Sequence, residues 1–395
     1  MKRKIIVHDY AGHPFQIQLS RALARRGNEV LHVYYGHNNT PKGDLNHRVG
    51  DPRTLDIHPV NTKQPLEKYA YFKRFFQENE YGRNVSEIIK KFQPDVVLSA
   101  NTPLNAQKAI IKKTRQSNAR FIFWLQDVLG LASLQILKQK LPILGFCIGK
   151  YYVQLERQMI KQSDQVVLIS DDFSSIVTNW GVPKEAIEII PNWAPLGDIP
   201  VHHKENAWSK RFSFHDKFCF IYTGTLGLKH NPDLLLRLAI IYKDQNDVRL
   251  IVISEGPGAI WLKKASDELK LNNLIIMDYQ PYEKLPFVLA TGDVLIAILD
   301  SSSGPFSVPS KVLTYLCAQR PLLLAVPDKN YVARIVQNHE MGLVCLPDDV
   351  DMFLENAKKL RQSSGLRHQF AKNARAYAEE TFDIERICDR FEEIL

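Results

Sequence analysis

Two lysines stand where an anion would be welcome. Lys229 lies in YTGTLGLKHNPDLLLRLA, from Tyr222, where Gly224 and Gly227 follow an apolar run. Asn231 and Pro232 then signal a helix, with Asn231 as N-cap and Pro232 at the first helical position. Lys311 lies in SSSGPFSVPSKVLTYLCAQRPLLLAVP (301–327). There Ser303–Gly304–Pro305 form a turn, Ser307 can cap a helix, Pro309 can begin it, and Leu313, Leu316 and Cys317 make its buried face. A cation in that first turn opposes the helix dipole, which favours Asp or Glu. Anion binding makes both lysines intelligible. Glycines admit a ligand to the backbone, a helix N-terminus offers free N–H groups, and the hydroxyls of Thr223, Thr225, Ser307 and Ser310 add donors.

A third turn, ISEGPGAIWLKKA (253–265), carries Gly256, Pro257 and Gly258, with Glu255 placed to face a ligand. Each turn has a plainer reading: a glycine turn with a solvated lysine, an ordinary loop, or a snorkelling surface lysine. Taken together they describe a site for a charged, hydroxyl-bearing ligand, and a nucleotide diphosphate fits. The phosphate-loop string GxxxxGK[ST] is absent. Asp349–Val350–Asp351, beside Asp348, reads as the charged start of a helix and not as a metal site.

The elements that must position these turns follow from periodicity. Short apolar runs alternate with amphipathic stretches along the chain. Ile5–Val7, Val30–Tyr35, Asp95–Ala100, Phe121–Leu125, Gln165–Ile169 and Glu188–Ile190 are expected strands, with a helix from about Phe15 to Gly27. The proline-rich stretch PNWAPLGDIPVHHKENAWS (191–209) breaks the rhythm as a linker. It resumes with strands at Phe218–Thr223, Arg249–Ser254, Leu274–Met277, Val294–Ile298, Leu322–Ala325 and Leu343–Leu346. Strand and helix in alternation mean an α/β protein of two doubly wound Rossmann-like domains with parallel sheets. The expected division is 1–195, 196–380 and a closing helix at 381–395, FDIERICDRFEEIL, which by position suits either domain. Ligands of such sheets bind at the carboxyl ends of strands, where the three turns fall.

The 395 residues exceed one ordinary core, and 51 Lys+Arg against 43 Asp+Glu leave a net charge of +8. That mild excess suits an anionic ligand or surface. Five scattered cysteines without a CxxC pair suit a reducing compartment and unpaired thiols. The start, MKRKIIVHDYAGHPF, reads as a strand and not as a signal peptide, and no run reaches the roughly 18–20 apolar residues of a membrane span. The segment 131–162 carries Lys138, Lys140, Lys150, Arg157 and Lys161 against one acid, Glu156, among Leu, Ile, Phe and Tyr. It is either a pair of ordinary helices or a basic amphipathic surface for anionic lipid. Nucleic acid is not an expected partner, because no groove-reading motif is present.

Five segments in order resemble the family-4 glycosyltransferases, retaining enzymes of the two-Rossmann GT-B fold, and within them the branch that builds bacterial surface polysaccharides. GVPKEAIEIIPN (181–192), YTGTLGLKHNP, SEGPGAIWLKKA, IIMDYQPYEKLPFVLATGDVLIAIL (275–299) and PSKVLTYLCAQRPLLLA carry the likeness. It implies two domains facing across a crevice, a nucleotide-sugar in the second and an acceptor in the first. Lys229 would then contact the donor diphosphate, Ser310 and Lys311 would lie near ribose and diphosphate, and the turn at Gln280–Leu285, with Tyr282 and Leu285, would flank the base. HDYAGHPFQIQLSRALARRGNEV resembles the family's glycine-loop start, with Gly12 and His13 in the turn.

Three departures stand out. Ser303 and Lys311 replace a frequent pair of glutamates, Thr225 replaces a frequent arginine, and Gln126–Asp127 in FWLQDVLG replaces a frequent His-Asp. Asp127 either orients an acceptor hydroxyl or caps a helix, and His13 is either near the sugar or a polar turn residue. The expected activity is metal-independent hexosyl transfer with retention, with Lys229 and Lys311 clamping the developing diphosphate charge. Its co-substrate is the nucleotide-sugar, with no further cofactor. The acceptor is a saccharide or a polyprenyl-diphosphate-linked saccharide, and the location is cytoplasmic or peripheral at the cytoplasmic membrane face. Two alternatives remain open: a sugar-nucleotide epimerase on the same fold, and a non-catalytic nucleotide-sugar-binding partner of another transferase.

Overall fold

Residues 2–37, 42–66, 70–100, 102–227, 230–301 and 308–395 are described by a computed structural model of the chain. They form two units, Met1–Asn192 with Ile384–Leu395, and Trp193–Asp383.

In the first unit the inner apolar runs become strands covered on both faces, as their unbroken apolar content requires, while the edge strand at Ile187–Ile189 is only half-buried. The elements are β1 (Lys4–Asp9), α1 (Pro14–Arg25), β2 (Glu29–Tyr35), β3 (Leu55–Val60), α2 (Tyr71–Phe92), β4 (Val96–Ala100), α3 (Leu104–Gln116), β5 (Arg120–Leu125), α4 (Leu129–Lys140), α5 (Pro142–Lys161), β6 (Gln165–Leu168), α6 (Ser174–Asn179) and β7 (Ile187–Ile189). The strands are parallel in the order β3-β2-β1-β4-β5-β6-β7. Ile5 pairs with Val30 on one side and Val96 on the other. The order therefore reverses between β1 and β4, the place where open sheets bind ligands.

Strand β3 was not expected from the sequence. Its residues, LDIHPV, expose Asp56, His58 and Pro59, and Pro59 has no N–H to donate. An edge position tolerates both features and erases the apolar run that marks the inner strands.

The second unit contains α7 (Ala207–Arg211), β8 (Phe218–Thr223), α8 (Asp233–Ile241), β9 (Val248–Ile253), α9 (Pro257–Leu269), β10 (Leu274–Met277), α10 (Leu285–Thr291), β11 (Val294–Ile298), α11 (Ser310–Cys317), β12 (Leu322–Ala325), α12 (Tyr331–Asn338), β13 (Gly342–Cys345), α13 (Val350–Gln362) and α14 (Ser364–Thr381). Its strands run parallel in the order β10-β9-β8-β11-β12-β13, so the reversal falls between β8 and β11. Phe220, Leu234, Leu250, Leu262, Val294 and Phe353 are among its core residues. Helix α7 begins inside the stretch expected to be a linker. Asn206 caps it by accepting from Trp208 and Ser209 N–H, and Trp208 is buried. The last helix, α15 (Ile384–Ile394), belongs to the first unit. Asp349 caps α13 through Met352 N–H, the structural role expected for that acidic string.

Candidate functional site

At the reversal point of the second unit, β8 ends in Tyr222–Thr223 and turns at Gly224, whose φ is +106°. A side chain there would be strained, and its Cβ would lie 3.0 Å from Lys311 Cε and Nζ. The glycine thus lets Lys311 approach the backbone at the end of β8. Lys311 is the second residue of α11, after Pro309 as N-cap, and its Nζ sits 3.9 Å from the centre of the Tyr222 ring. Burial is what lowers its pKa, to about 7. The residue as a whole is half-buried at the start of its helix.

Neighbouring hydroxyls hold this corner in place. Thr223 N–H donates to Tyr315 Oη at 2.9 Å, and the two hydroxyls lie 3.0 Å apart. Burial pushes the Tyr315 phenol up to about 12, so it stays neutral and available for hydrogen bonding. Tyr222 Oη donates to Thr225 O at 3.0 Å, and Thr225 Oγ1 lies 2.9 Å from Tyr279 Oη. Tyr222, Tyr279 and Tyr315 were not singled out in the sequence. The signal for Tyr315 was its i+4 spacing from Lys311 on one helix face.

The glycines of the third turn serve the second. Gly256 has φ +111°, and Gly258 N–H donates to Leu226 O at 2.9 Å. A Cβ on Gly258 would come within 2.6 Å of that oxygen, so the Gly256–Gly258 turn packs backbone to backbone against Leu226–Gly227. Glu255 is exposed, and its carbonyl accepts from Leu226 N–H at 3.2 Å.

The expected start of α8 is corrected by one residue. Asn231 has φ +44° and does not cap; its amide donates to Pro347 O at 3.0 Å, and the helix begins at Asp233 after Pro232. Ser310 is exposed at the start of α11, where Pro309 takes the cap expected of Ser307. Lys229, Ser303, Gly304, Pro305 and Ser307 lie outside the described residues. Tyr282 is tied to Asp198 through a 3.3 Å hydrogen bond and leads into α10 at Leu285.

In the first unit a second group of polar residues gathers at the carboxyl ends of β1 and β5. Asp9 is fully buried and accepts from Ala11 N–H at 3.1 Å and from His13 N–H, closing the turn in which Gly12 has φ +79°. His13 Nδ1 lies 3.4 Å from Asp9 Oδ1. Burial pulls the His13 pKa down, but the Asp9 carboxylate and the charge of Asp127 outweigh it and raise the pKa above the ordinary histidine value.

The N-cap position of α4 is Val128 and not Asp127. The first N–H groups of α4, on Leu129 and Gly130, donate to Glu156 of α5 at 3.0 and 2.8 Å. Burial, partly offset by those two bonds and reinforced by Asp127, raises the Glu156 pKa to about 8. Asp127 is left half-buried, near enough to act electrostatically on both His13 and Glu156. Gln126, where the resembled family often has histidine, forms a buried reciprocal amide pair with Asn192, at 3.2 and 2.5 Å. That pairing commits the side chain to structure.

Two parallel sheets of Rossmann order, with a cationic turn at the reversal point of one, define a GT-B type of protein. The Glycosyl transferases group 1 model matches residues 204–377, and the Glycosyltransferase Family 4 model matches residues 16–197. Together these cover nearly the whole chain, which belongs to the family-4 glycosyltransferases.

The chain is 22% identical over 188 residues to a probable glycosyltransferase, WbjE, of Pseudomonas aeruginosa, a match spanning 47% of this chain and 47% of that protein. It spans, then, about half the length of that curated relative. Among solved structures, sucrose-phosphate synthase from Thermosynechococcus elongatus aligns over 100% of this chain and 98% of its own, with TM-score 0.76 and 14% identity. HepE of Anabaena in complex with UDP and glucose aligns over 99% and 98%, with TM-score 0.73 and 14% identity. At such identities the likeness is one of fold.

Proposed function

We propose that the protein transfers a sugar from a nucleotide-diphosphate donor to a lipid-linked saccharide. The transfer retains anomeric configuration and needs no metal, and it serves polysaccharide or glycan synthesis at an anionic membrane surface. One observation carries the donor reading: Lys311 at the reversal point of the second sheet, against Gly224 and the Tyr222 face. Neighbours of the same fold bound to UDP or a UDP-sugar support a UDP-sugar as the first donor to test.

In the reaction the bond from the anomeric carbon to the β-phosphate oxygen breaks, and its electron pair stays on the diphosphate. The acceptor oxygen bonds to the same face of the sugar, and its proton passes to the departing diphosphate. Lys311, whose ammonium form is favoured by the diphosphate's negative charge and takes its proton from solvent, stabilises the negative charge that develops there, together with Lys229. Thr223, Thr225 and Ser310 offer hydroxyls to the donor, Gly224 admits Lys311 to the end of β8, and Tyr282 and Leu285 flank the base. In the first unit, Asp127 and His13 offer the acceptor a hydrogen-bond acceptor and a donor beside Gly12.

Thermal shift against UDP-, GDP- and dTDP-sugars is the first test. A ligand at about 100 times its dissociation constant stabilises the protein by about 2.7 kcal/mol. Transfer to lipid-linked acceptors in the presence of a chelator, with the anomeric configuration read by NMR, tests the rest. Unchanged transfer by Lys229→Ala and Lys311→Ala would sink the clamp. Donor binding without hydrolysis or transfer would make the protein a nucleotide-sugar-binding partner instead.

A further inference from the structure

The connection between α4 and α5 is a single residue, Leu141, so the two helices form a hairpin. Their mutual contact is made with glycine. A Cβ on Gly145 would lie 2.0 Å from Leu137 O, and one on Gly149 would lie 2.5 Å from Leu134 Cα. Nearer the base, a Cβ on Gly130 would lie 2.9 Å from Val153 Cα. Backbones this close leave no room for large side chains between them.

The large apolar residues near the tip therefore point away from the hairpin's own seam. Ile143 is 84% exposed, Leu144 61% and Leu141 53%, and Ile136, Phe146, Ile148 and Tyr151 are exposed as well. This is a contiguous stretch of chain, unlike the singly scattered apolar residues of an ordinary surface.

Charge decides what covers it. Lys138, Lys140 and Lys150 are exposed in the same stretch, and Lys150 Nζ sits 5.5 Å from the Phe146 ring centre. Between Asp127 and Glu156 the sequence has no acid at all, and Glu156 is buried under the start of α4. A second copy of the chain would bring lysines against lysines. An anionic bilayer takes apolar side chains into its acyl boundary and lysine heads among its phosphates.

We infer that the α4–α5 tip, with Leu141, Ile143, Leu144 and Phe146 as apolar anchors and Lys138, Lys140 and Lys150 as the cationic rim, docks the protein onto an anionic lipid surface. The inference deepens the membrane part of the function proposed above by naming the element and the lipid charge. It does not depend on donor chemistry.

The experiment is co-sedimentation of the full chain with mixed phosphatidylcholine–phosphatidylglycerol vesicles, against phosphatidylcholine alone. The mixed vesicles bind the protein and release it as salt is raised. Ile143→Asp with Leu144→Asp lowers that binding more than tenfold, since each removes an apolar anchor and puts a like charge against the anionic surface. Lys138→Gln and Lys140→Gln lower it about fivefold each, on the mixed vesicles only. All these positions are exposed, and a melting temperature unchanged from wild type confirms that the variants are folded.

No binding to the mixed vesicles, or equal binding by the double aspartate variant, overturns the inference. So does a dimer, seen by sedimentation velocity, that the aspartates dissolve. If the wild type binds vesicles but no nucleotide-sugar, the proposed function fails while the docking surface stands.

Discussion

In the free protein Lys311 has lost water around its ammonium, and burial is the one cause resolved for its lowered pKa. The Tyr222 ring face 3.9 Å away offsets part of that loss. The unfolded lysine titrates near 10.5 and the folded one near 7. The unfolded chain therefore binds more protons between those values, and stability rises with pH across that window. Below about pH 7 the full penalty of the buried charge is present. Lys311→Met should then unfold at higher temperature than wild type at pH 6, by on the order of 1 kcal/mol after solvent screening, with the advantage shrinking towards pH 10. The same variant should bind UDP about tenfold to a hundredfold more weakly, because it forfeits a charged hydrogen bond of about 1.5–3 kcal/mol. Melting curves at two pH values and a UDP titration read both effects; a Met variant less stable than wild type at pH 6 would rule out the account. The oddity of a first-turn lysine was legible in the sequence, as were the glycines that make room for it. Its aromatic partner was not, because Tyr222 meets it only through the pairing of β8 and β11.

At the scale of elements, the start of α4 depends on a residue of another helix. Val128 supplies no side-chain cap, and Glu156 accepts from both Leu129 and Gly130 N–H instead. Its pKa is raised from 4.5 to about 8. The folded state thus holds a proton that the unfolded chain releases above about pH 4.5, so this group's contribution is complete below that pH and is lost as pH rises through 8. Glu156→Gln should flatten the fall in stability between about pH 5 and 8, and should cost about 1 kcal/mol at pH 5, because one amide end cannot accept from the backbone. Urea midpoints across that range decide it, and a slope identical to wild type would count against Glu156 as the titrating group. Local reading offered Asp127 as the cap because capping rules look along the chain, and Glu156 arrives only when α5 folds back. The inner strands were legible because both their faces are buried and their apolar runs are unbroken. Strand β3 escaped because an edge needs neither feature, and α8 began late because Asn231 spends its side chain on Pro347.

At the scale of the whole molecule, the last helix completes the first unit. The apolar spacing in FDIERICDRFEEIL was legible, and Ile387, Cys388, Phe391 and Ile394 are its buried residues. Its choice of unit was not legible, because the partners lie at the far end of the chain. Arg26, just past α1, contacts Glu385 at 2.9 Å, Asp389 at 2.6 Å and Glu392 at 2.8 Å. Arg390 donates to Glu188 and to Ile189 O, and the Phe391 ring lies 4.9 Å from that of Trp124 on β5. Two forces therefore hold α15, and their magnitudes differ. Exposed ion pairs contribute at most about 1 kcal/mol each and are screened by salt. A fully buried Phe beside a fully buried Trp is worth about 3–5 kcal/mol when truncated to alanine. Phe391→Ala should accordingly lower the melting transition of the first unit far more than Arg26→Met does, and raising the salt should leave most of the wild-type stability in place. Calorimetry of the full chain reads this directly: the Phe391→Ala loss falls on one transition, while that of residues 193–383 stays where it was. If Arg26→Met proves the more damaging change, then charge and not apolar burial joins the end of the chain to its beginning.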